Sequence, residues 1–232
     1  MATGPSPADP PSAEHSSTTP RFQTADTGRV EAFSDGVLAV AITILALDMR
    51  TPAHHPGGLL PALLHQWPVY LGYLISFAYI GVIWLNHHQA FIRIRIVDRG
   101  LHVANLTMLF TTAALPFATG VLSQALEQPL TSADVRTAVA LYALIAAAMC
   151  ASWLWIYTHL ARHPAILDTS TEPRYVLHGR IRSGVGIASY LLGGALGWLV
   201  TPAIALAVFL FLPAFYFITS EGIPVALNRR TA

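Results

Sequence analysis

Long apolar runs separated by short polar segments dominate the sequence. Each run holds about 17–23 residues, enough for a helix rising ~1.5 Å per residue to cross a hydrocarbon core of ~30 Å. The apolar residues are continuous rather than spaced at the period of a half-buried helix or strand. We therefore predict an all-α polytopic membrane protein with six transmembrane helices. The predicted spans are Val30–Met49, Trp67–Asn86, Leu101–Leu122, Val135–Tyr157, Ile181–Val200 and Ala203–Thr219.

The regions outside the spans are short. Residues 1–27 are rich in Pro, Ser and Thr and predict a disordered N-terminal tail. Residues 28–222 form the predicted membrane domain, and residues 223–232 form a short C-terminal tail. A cleaved signal peptide is not expected, because no apolar core follows the start.

Composition supports a membrane protein. Charged residues make up 11% of the chain and hydrophobic residues 54%, whereas a soluble domain carries about 25% charged residues. The formal net charge is +1 without any basic domain, so a nucleic-acid partner is not expected. Cys150 lies inside an apolar run and is predicted to be a buried thiol.

The arginines predict the orientation. If the N-terminus is inside, eleven arginines fall on the cytoplasmic side, and only Arg50 and Arg136 fall outside. Cytoplasmic loops are enriched in basic residues. We therefore predict a multi-pass protein of the inner (plasma) membrane with both termini cytoplasmic.

Two features within the spans predict how the helices pack. Pro116 lies inside the third span and predicts a kink. Gly193 and Gly197, four positions apart in the fifth span, predict a groove for close helix approach. The sixth span, which follows a tight turn, is the expected partner.

The cytoplasmic start of the first span carries ionisable side chains. Arg29 and Glu31 can reach the interface, but Asp35 lies nearly two turns into the span. A carboxylate at that depth is costly unless it is paired. Candidate partners at similar depth are His102 and Asn105, three positions apart on the third span, and the W-x-N-H-H end of the second span.

Such a His–Asp–Asn cluster could bind a metal, relay protons or hold helices together. No HExxH or other metal-ligand spacing supports metal binding by this cluster, and neither a metal site nor a cofactor is expected. Hydrogen bonding between helices is the favoured interpretation, with a proton relay as the alternative. The sequence has no GxSxG, P-loop or GxGxxG motif, so an enzyme is not expected.

A narrow stripe follows one face of the first helix. At about 100° per residue, Gly36, Val40, Thr43 and Leu47 fall within about 60° of one another, and Ile44 lies at the edge. Ser34 and Asp35 point elsewhere. This spacing suits a helix that lines a symmetry axis, although ordinary helix packing uses it as well.

The segment RVEAFSDGVLAVAITILALDM closely resembles the first-helix signature of the prokaryotic transmembrane protein 175 family. The W-x-N-H-H end of span two and the His102/Asn105 pair extend the likeness over residues 29–220. The signature residues that match are Arg29, Phe33, Ser34, Asp35, Gly36, Ala39, Ala41, Ile42, Thr43 and Leu47.

The resemblance implies a potassium-selective channel without a P-loop filter. Prokaryotic members have six spans, assemble as homotetramers and line the pore with their first helices. It implies a constriction ring at Val40, where the family usually has Ile or Leu, and a selectivity-associated hydroxyl at Thr43. Ile44 and Leu47 match further apolar layers of the pore. Polar contacts with later helices, rather than the pore wall, are implied for Arg29, Ser34 and Asp35. The predicted network between helices comprises these three residues together with Phe33, His102 and Asn105.

We therefore predict a homotetrameric potassium channel in the lipid bilayer, with potassium as the permeant ion and no cofactor. Asp48 is predicted either to concentrate cations at the outer mouth or only to end the span. A proton-coupled transporter that uses Asp35 and His102 is the alternative function. A membrane scaffold without ion flux is the third.

Overall fold

The computed structural model describes residues 27–219, apart from the Asp48 side chain. The predicted disordered tail and the predicted C-terminal tail lie almost entirely outside these residues. The described chain is nearly all helical. Its helices are α1 (Thr27–Leu45), α2 (Leu59–His65), α3 (Trp67–Phe91), α4 (Arg99–Ala113), α5 (Leu115–Ala125), α6 (Ala133–Arg162), α7 (Pro173–Leu199) and α8 (Pro202–Ile218), with short 3-10 turns at Ala46–Asp48 and Pro164–Ile166.

The helices fit the six-span prediction. The third predicted span comprises α4 and α5, which meet at a break at Ala114. The predicted kink is confirmed, because Pro116 lacks an N–H and its ring clashes with the carbonyl four residues earlier. The short α2 lies in the segment between the first two spans and is an addition to the prediction.

Length and hydropathy mark three of the described spans clearly: α3, α4–α5 and α6 are long and apolar enough to cross a membrane. The apolar α8 is shorter, with 17 residues. The first turns of α1 and α7 contain charged residues, which lower the hydropathy of these two helices. The helix that contains the predicted fifth span is longer than that span: α7 begins at Pro173, eight residues before the predicted start at Ile181.

Linkers on one side of the bundle contact each other. The 92–98 linker pairs with the 163–172 linker: the Arg95 amide donates to the Ile166 carbonyl at 2.9 Å, and the Asp168 amide donates to the Arg93 carbonyl at 2.8 Å. At the opposite side, Arg136 at the start of α6 donates to the carbonyl of Trp198 at the end of α7 at 2.7 Å. The spans therefore alternate in direction. We call the side with the paired linkers the linker end.

Asp98 begins α4 at the linker end. Its carboxylate accepts a hydrogen bond from the Leu101 amide at 2.7 Å and caps the helix. It also contacts His159 in the last turn of α6. Burial alone would raise the pKa of Asp98, but the Leu101 amide and His159 outweigh it and lower the pKa.

Small residues bring α7 close to its neighbours. A Cβ at Gly193 would contact Val208, and one at Gly197 would crowd Ala205, both on α8. The predicted packing of this groove against the sixth span is confirmed. Gly194 faces the other way, where a Cβ would lie 2.5 Å from the Ala143 side chain of α6. Glycine is therefore needed on two sides of the same helix.

Apolar side chains fill the interior of the bundle. Leu38, Ile80, Leu101 and Met108, from α1, α3 and α4, are at most 1% exposed. Cys150 is buried, as predicted, with its sulfur 3.7 Å from the Tyr216 hydroxyl. The described helices therefore form a packed bundle.

Candidate pore helix and its polar anchor

The first helix, α1, has two unlike faces. One face packs against α3, α4 and α5 and buries Val30, Ser34, Leu38, Ala41 and Leu45. These residues recur every three or four positions, the spacing that a helix needs to bury one side. The opposite face is exposed in the single chain. The rotation of α1 about its axis therefore decides which residues each face presents.

A buried hydrogen-bond chain fixes the inner face. The Asn105 amide nitrogen donates to the Ser34 hydroxyl at 2.9 Å, and the hydroxyl donates to the Val30 carbonyl at 2.9 Å. Nε2 of His87 donates to the Asn105 side-chain oxygen at 3.0 Å. Ser34, His87 and Asn105 are at most 1% exposed. Three helices thus meet at one Asn side chain in a medium where unpaired polar groups are costly.

Two further bonds join α1 to α3. The Trp84 indole N–H donates to a carboxylate oxygen of Asp35 at 3.0 Å. His88 contacts a carboxylate oxygen of Glu31 at 2.8 Å, and its ring stacks on Trp84. We call the seven residues that join α1 to α3 and α4 the polar anchor: Glu31, Ser34, Asp35, Trp84, His87, His88 and Asn105.

The structure corrects part of the predicted helix network. Ser34, Asp35 and Asn105 belong to the polar anchor, but His102 is exposed on α4, and its side chain makes no hydrogen bond within residues 27–219. It lies about 100° around the helix from the buried Leu101. Arg29 is also exposed, and Phe33 is 57% exposed on the outer side of α1. Neither joins the anchor.

His87, rather than the predicted His102, is the histidine in the hydrogen-bond network between helices. The W-x-N-H-H pattern signalled it, because its polar residues end span two at the depth of Asp35. All four polar side chains of that pattern form hydrogen bonds, including Asn86, which accepts one from Arg182 of α7. The choice between His87 and His102 depends on how α3 and α4 are rotated, which spacing within one helix does not reveal.

The exposed face of α1 carries the predicted pore residues. Val40 is 56% exposed, Ile44 44% and Leu47 70%. Gly36, one turn before Val40, and Thr43 are exposed as well. The Thr43 hydroxyl donates to the Val40 carbonyl at 2.8 Å. Its hydrogen is therefore used within the helix, which leaves the oxygen lone pairs as free acceptors on the exposed face.

The Asp48 backbone ends the 3-10 turn that follows α1. Its side chain lies outside the described part of the structure. Its role at an outer mouth stays a prediction.

Comparison with known proteins identifies the family. The family described as the endosomal/lysosomal potassium channel TMEM175 matches residues 29–116, which contain all of the polar anchor. A potassium channel of Streptomyces collinus is 38% identical over 200 residues, which cover 86% of this chain and 95% of that protein. The chain belongs to the TMEM175 family. This family consists of ion channels rather than enzymes.

Solved structures of TMEM175 proteins share the fold. The crystal structure of a lysosomal potassium-selective channel TMEM175 homolog from Chamaesiphon minutus matches with a TM-score of 0.73 and 32% identity. The match covers 84% of this chain and 98% of that one.

Human TMEM175, named an endosomal/lysosomal proton channel, is 32% identical over 143 residues, which cover 57% of this chain and 28% of the human protein.

Proposed function

We propose that this TMEM175 chain forms a potassium-selective channel as a homotetramer, with α1 of each copy lining a central pore. The relatives that are named potassium channels support potassium as the permeant ion. The exposed apolar face of α1, lying opposite the polar anchor, is the observation that carries the proposed pore.

The packed interior supports a pore between copies rather than within one chain. Leu38, Ile80 and Leu101 are at most 1% exposed in the described bundle. An ion inside it would lose its water without gaining ligands, which is prohibitive in an apolar medium. Several copies around an axis supply a path that leaves each bundle intact.

The face of α1 suits this position. Val40 and Leu47 are separated by about 10 Å along the helix at ~1.5 Å per residue, so the stripe lines roughly a third of a hydrocarbon core. In a tetramer, each position becomes a ring of four side chains. A Val40 ring forms an apolar constriction in which ions shed water, and a Thr43 ring offers hydroxyl oxygens that replace it.

The Val40→Asn variant tests the pore. An amide ring at the constriction supplies ligands for a partly dehydrated ion, so potassium flux into liposomes should rise. The matched control is Val185→Asn, because Val185 is a 43% exposed valine on α7 outside the proposed pore.

Flux of potassium, sodium and protons should be measured for both variants and the unmodified chain. Potassium flux that rises in Val40→Asn alone supports the pore. An unmodified chain that carries no potassium contradicts the channel proposal. Equal flux in Val40→Asn and the unmodified chain contradicts the assignment of α1.

We also propose the plasma membrane as the location, with both termini cytoplasmic. The linker end carries the arginine-rich linkers and would then face the cytoplasm. Single cysteines at Thr169 and at His55 test this with a membrane-impermeant thiol reagent on intact cells; Cys150 is buried and need not be removed. We expect labelling at His55 and protection at Thr169. The opposite result would contradict the proposed orientation.

The alternative, a proton-coupled transporter, rests on a pairing of Asp35 with His102. Asp35 contacts Trp84 instead, and His102 is exposed. No contact in the described residues favours this function over a channel.

A further inference from the structure

Three side chains of the types that bind metals meet at the linker end, away from the exposed face of α1. Asp98 caps α4, His159 lies in the last turn of α6, and His163 follows the end of α6. A ligand atom from each lies within 4.8 Å of the other two. Nε2 of His159 is 2.9 and 3.0 Å from the two carboxylate oxygens of Asp98.

The hydrogen bond of His163 fixes its ring tautomer. Its Nδ1 lies 3.0 Å from the backbone carbonyl of His159. A carbonyl only accepts, so Nδ1 carries the hydrogen and Nε2 of the neutral ring keeps its lone pair. Metal-binding histidines usually donate their second ring N–H in this way, which fixes the tautomer and the ring orientation.

The site is shaped and open. A Cβ at position 100 would overlap the His159 ring, so Gly100 leaves the room that the imidazole occupies beside α4. The His159 side chain is 13% exposed, the Asp98 side chain 36%, and His163 is exposed. All three side chains are therefore at least partly accessible to solvent.

We propose that Asp98, His159 and His163 bind a divalent late transition metal ion of the zinc type. Two imidazoles and one carboxylate suit such an ion, with water as the fourth ligand, whereas Mg²⁺ and Ca²⁺ take oxygen ligands. Ligands around a tetrahedral zinc with bonds of ~2.0–2.1 Å lie about 3.3 Å apart. The Asp98–His159 distances therefore need to lengthen only slightly, and a shift of the His159 proton from Nε2 to Nδ1 frees the ligand atom.

The bound ion would tie the start of α4 to the end of α6. Of these two helices, α4 packs against α1. The proposed site does not depend on which ion the channel conducts.

Zinc titration of the full chain tests the site. The protein should be purified without a histidine tag, and Zn²⁺ binding measured by calorimetry, with Co²⁺ absorption reporting tetrahedral geometry. We expect one ion per chain and at least about 10-fold weaker binding in His163→Ala, since outer-sphere changes alone cost that much. Asp98→Asn should also weaken binding, while its side-chain oxygen can still cap α4.

The matched control is His54→Ala. His54 is an exposed loop histidine whose Nδ1 also contacts a nearby backbone carbonyl, at 3.0 Å from that of Pro52. It should bind zinc like the unmodified chain. Thermal unfolding without metal shows whether each variant is folded. Absence of saturable binding, or binding that persists in folded His163→Ala, overturns the proposal.

Discussion

The two halves of α1 are stabilised in different ways. The inner half, residues 30–38, forms hydrogen bonds to α3 and α4 through Glu31, Ser34 and Asp35. The outer half, residues 40–47, has only Thr43 as a polar side chain, and its hydroxyl bonds to its own helix. Apolar contacts such as those of Ala41 and Leu45 hold the outer half against the bundle.

Because of this difference, one half of α1 sets the rotation of the helix, while the other half carries the exposed apolar stripe. Apolar packing is non-directional and tolerates rotation of a helix, whereas a hydrogen bond requires defined distances and angles. The inner half therefore fixes the rotation of the whole helix. A rotation by about 100°, one residue position, would remove Ser34 from Asn105 and change the set of side chains on the exposed face.

The largest expected effect follows loss of the shared Asn. Asn105→Ala removes the acceptor of the buried His87 Nε2–H and the donor to the buried Ser34 hydroxyl, which keeps only its bond to the Val30 carbonyl. An unsatisfied buried group costs about 1–3 kcal/mol, so the variant should lose roughly 2–4 kcal/mol of unfolding free energy. Reversible unfolding in mixed micelles measures this.

Thr107→Ala is the control for Asn105→Ala, because the Thr107 hydroxyl bonds only to the Val103 carbonyl of α4. Equal stability of the two variants would contradict the anchoring role. The fraction of Asn105→Ala that assembles should keep the ion selectivity of the unmodified chain.

A smaller effect is expected at the bond between Asp35 and Trp84. Asp35→Ala should cost about 1 kcal/mol, because Trp84 is 40% exposed and only part of the desolvation cost applies. It should reduce stability or tetramer yield more than selectivity. Asp35→Asn keeps an acceptor oxygen and should cost less.

A double-mutant cycle with Trp84→Phe isolates this contact. A coupling energy near zero would show that the hydrogen bond contributes nothing. A change in ion preference with normal assembly would place Asp35 in the pore instead of in the anchor.

The smallest expected effect belongs to the outer half. Thr43→Ala removes one hydroxyl from each copy at the proposed axis, and each is worth about 1 kcal/mol or less. The potassium-over-sodium permeability ratio should fall several-fold, as measured by reversal potentials, with little change in stability. Thr43→Ser should retain most of the ratio.

Thr137→Ala provides the matched comparison for Thr43→Ala. Thr137 is exposed on α6, and its hydroxyl bonds to the Ala133 carbonyl of its own helix, as Thr43 bonds to Val40. A loss of selectivity at position 137 equal to that at position 43 would exclude a special role for α1.

Hydrophobic patterning predicted most of the fold. Lipid demands continuous apolar helices, so the spans are visible in the sequence, and Pro116 marked the break at Ala114. The extension of α7 back to Pro173 was not visible, because hydropathy measures burial in lipid rather than helicity.

The site was only partly predictable. Periodicity within α1 separated Ser34 and Asp35 from the Val40–Leu47 stripe, because both properties belong to one helix. The partner His87 and the exposure of His102 depend on the relative rotation of three helices. The cluster at Asp98 was missed for a similar reason: His159 and His163 are four positions apart, but their carboxylate partner comes from another helix.

The polar anchor holds one end of α1, so a tilt of the helix about that end moves its other end most. Its fastened segment ends near Gly36, where a side chain would meet open space, and Leu47 lies about 16 Å farther along the axis at ~1.5 Å per residue. A tilt of about 5° at Gly36 displaces Leu47 sideways by about 1.4 Å over that distance, but Val40 by only about 0.5 Å. In the proposed tetramer, a change of tilt would therefore move the Leu47 ring about three times as far as the Val40 ring.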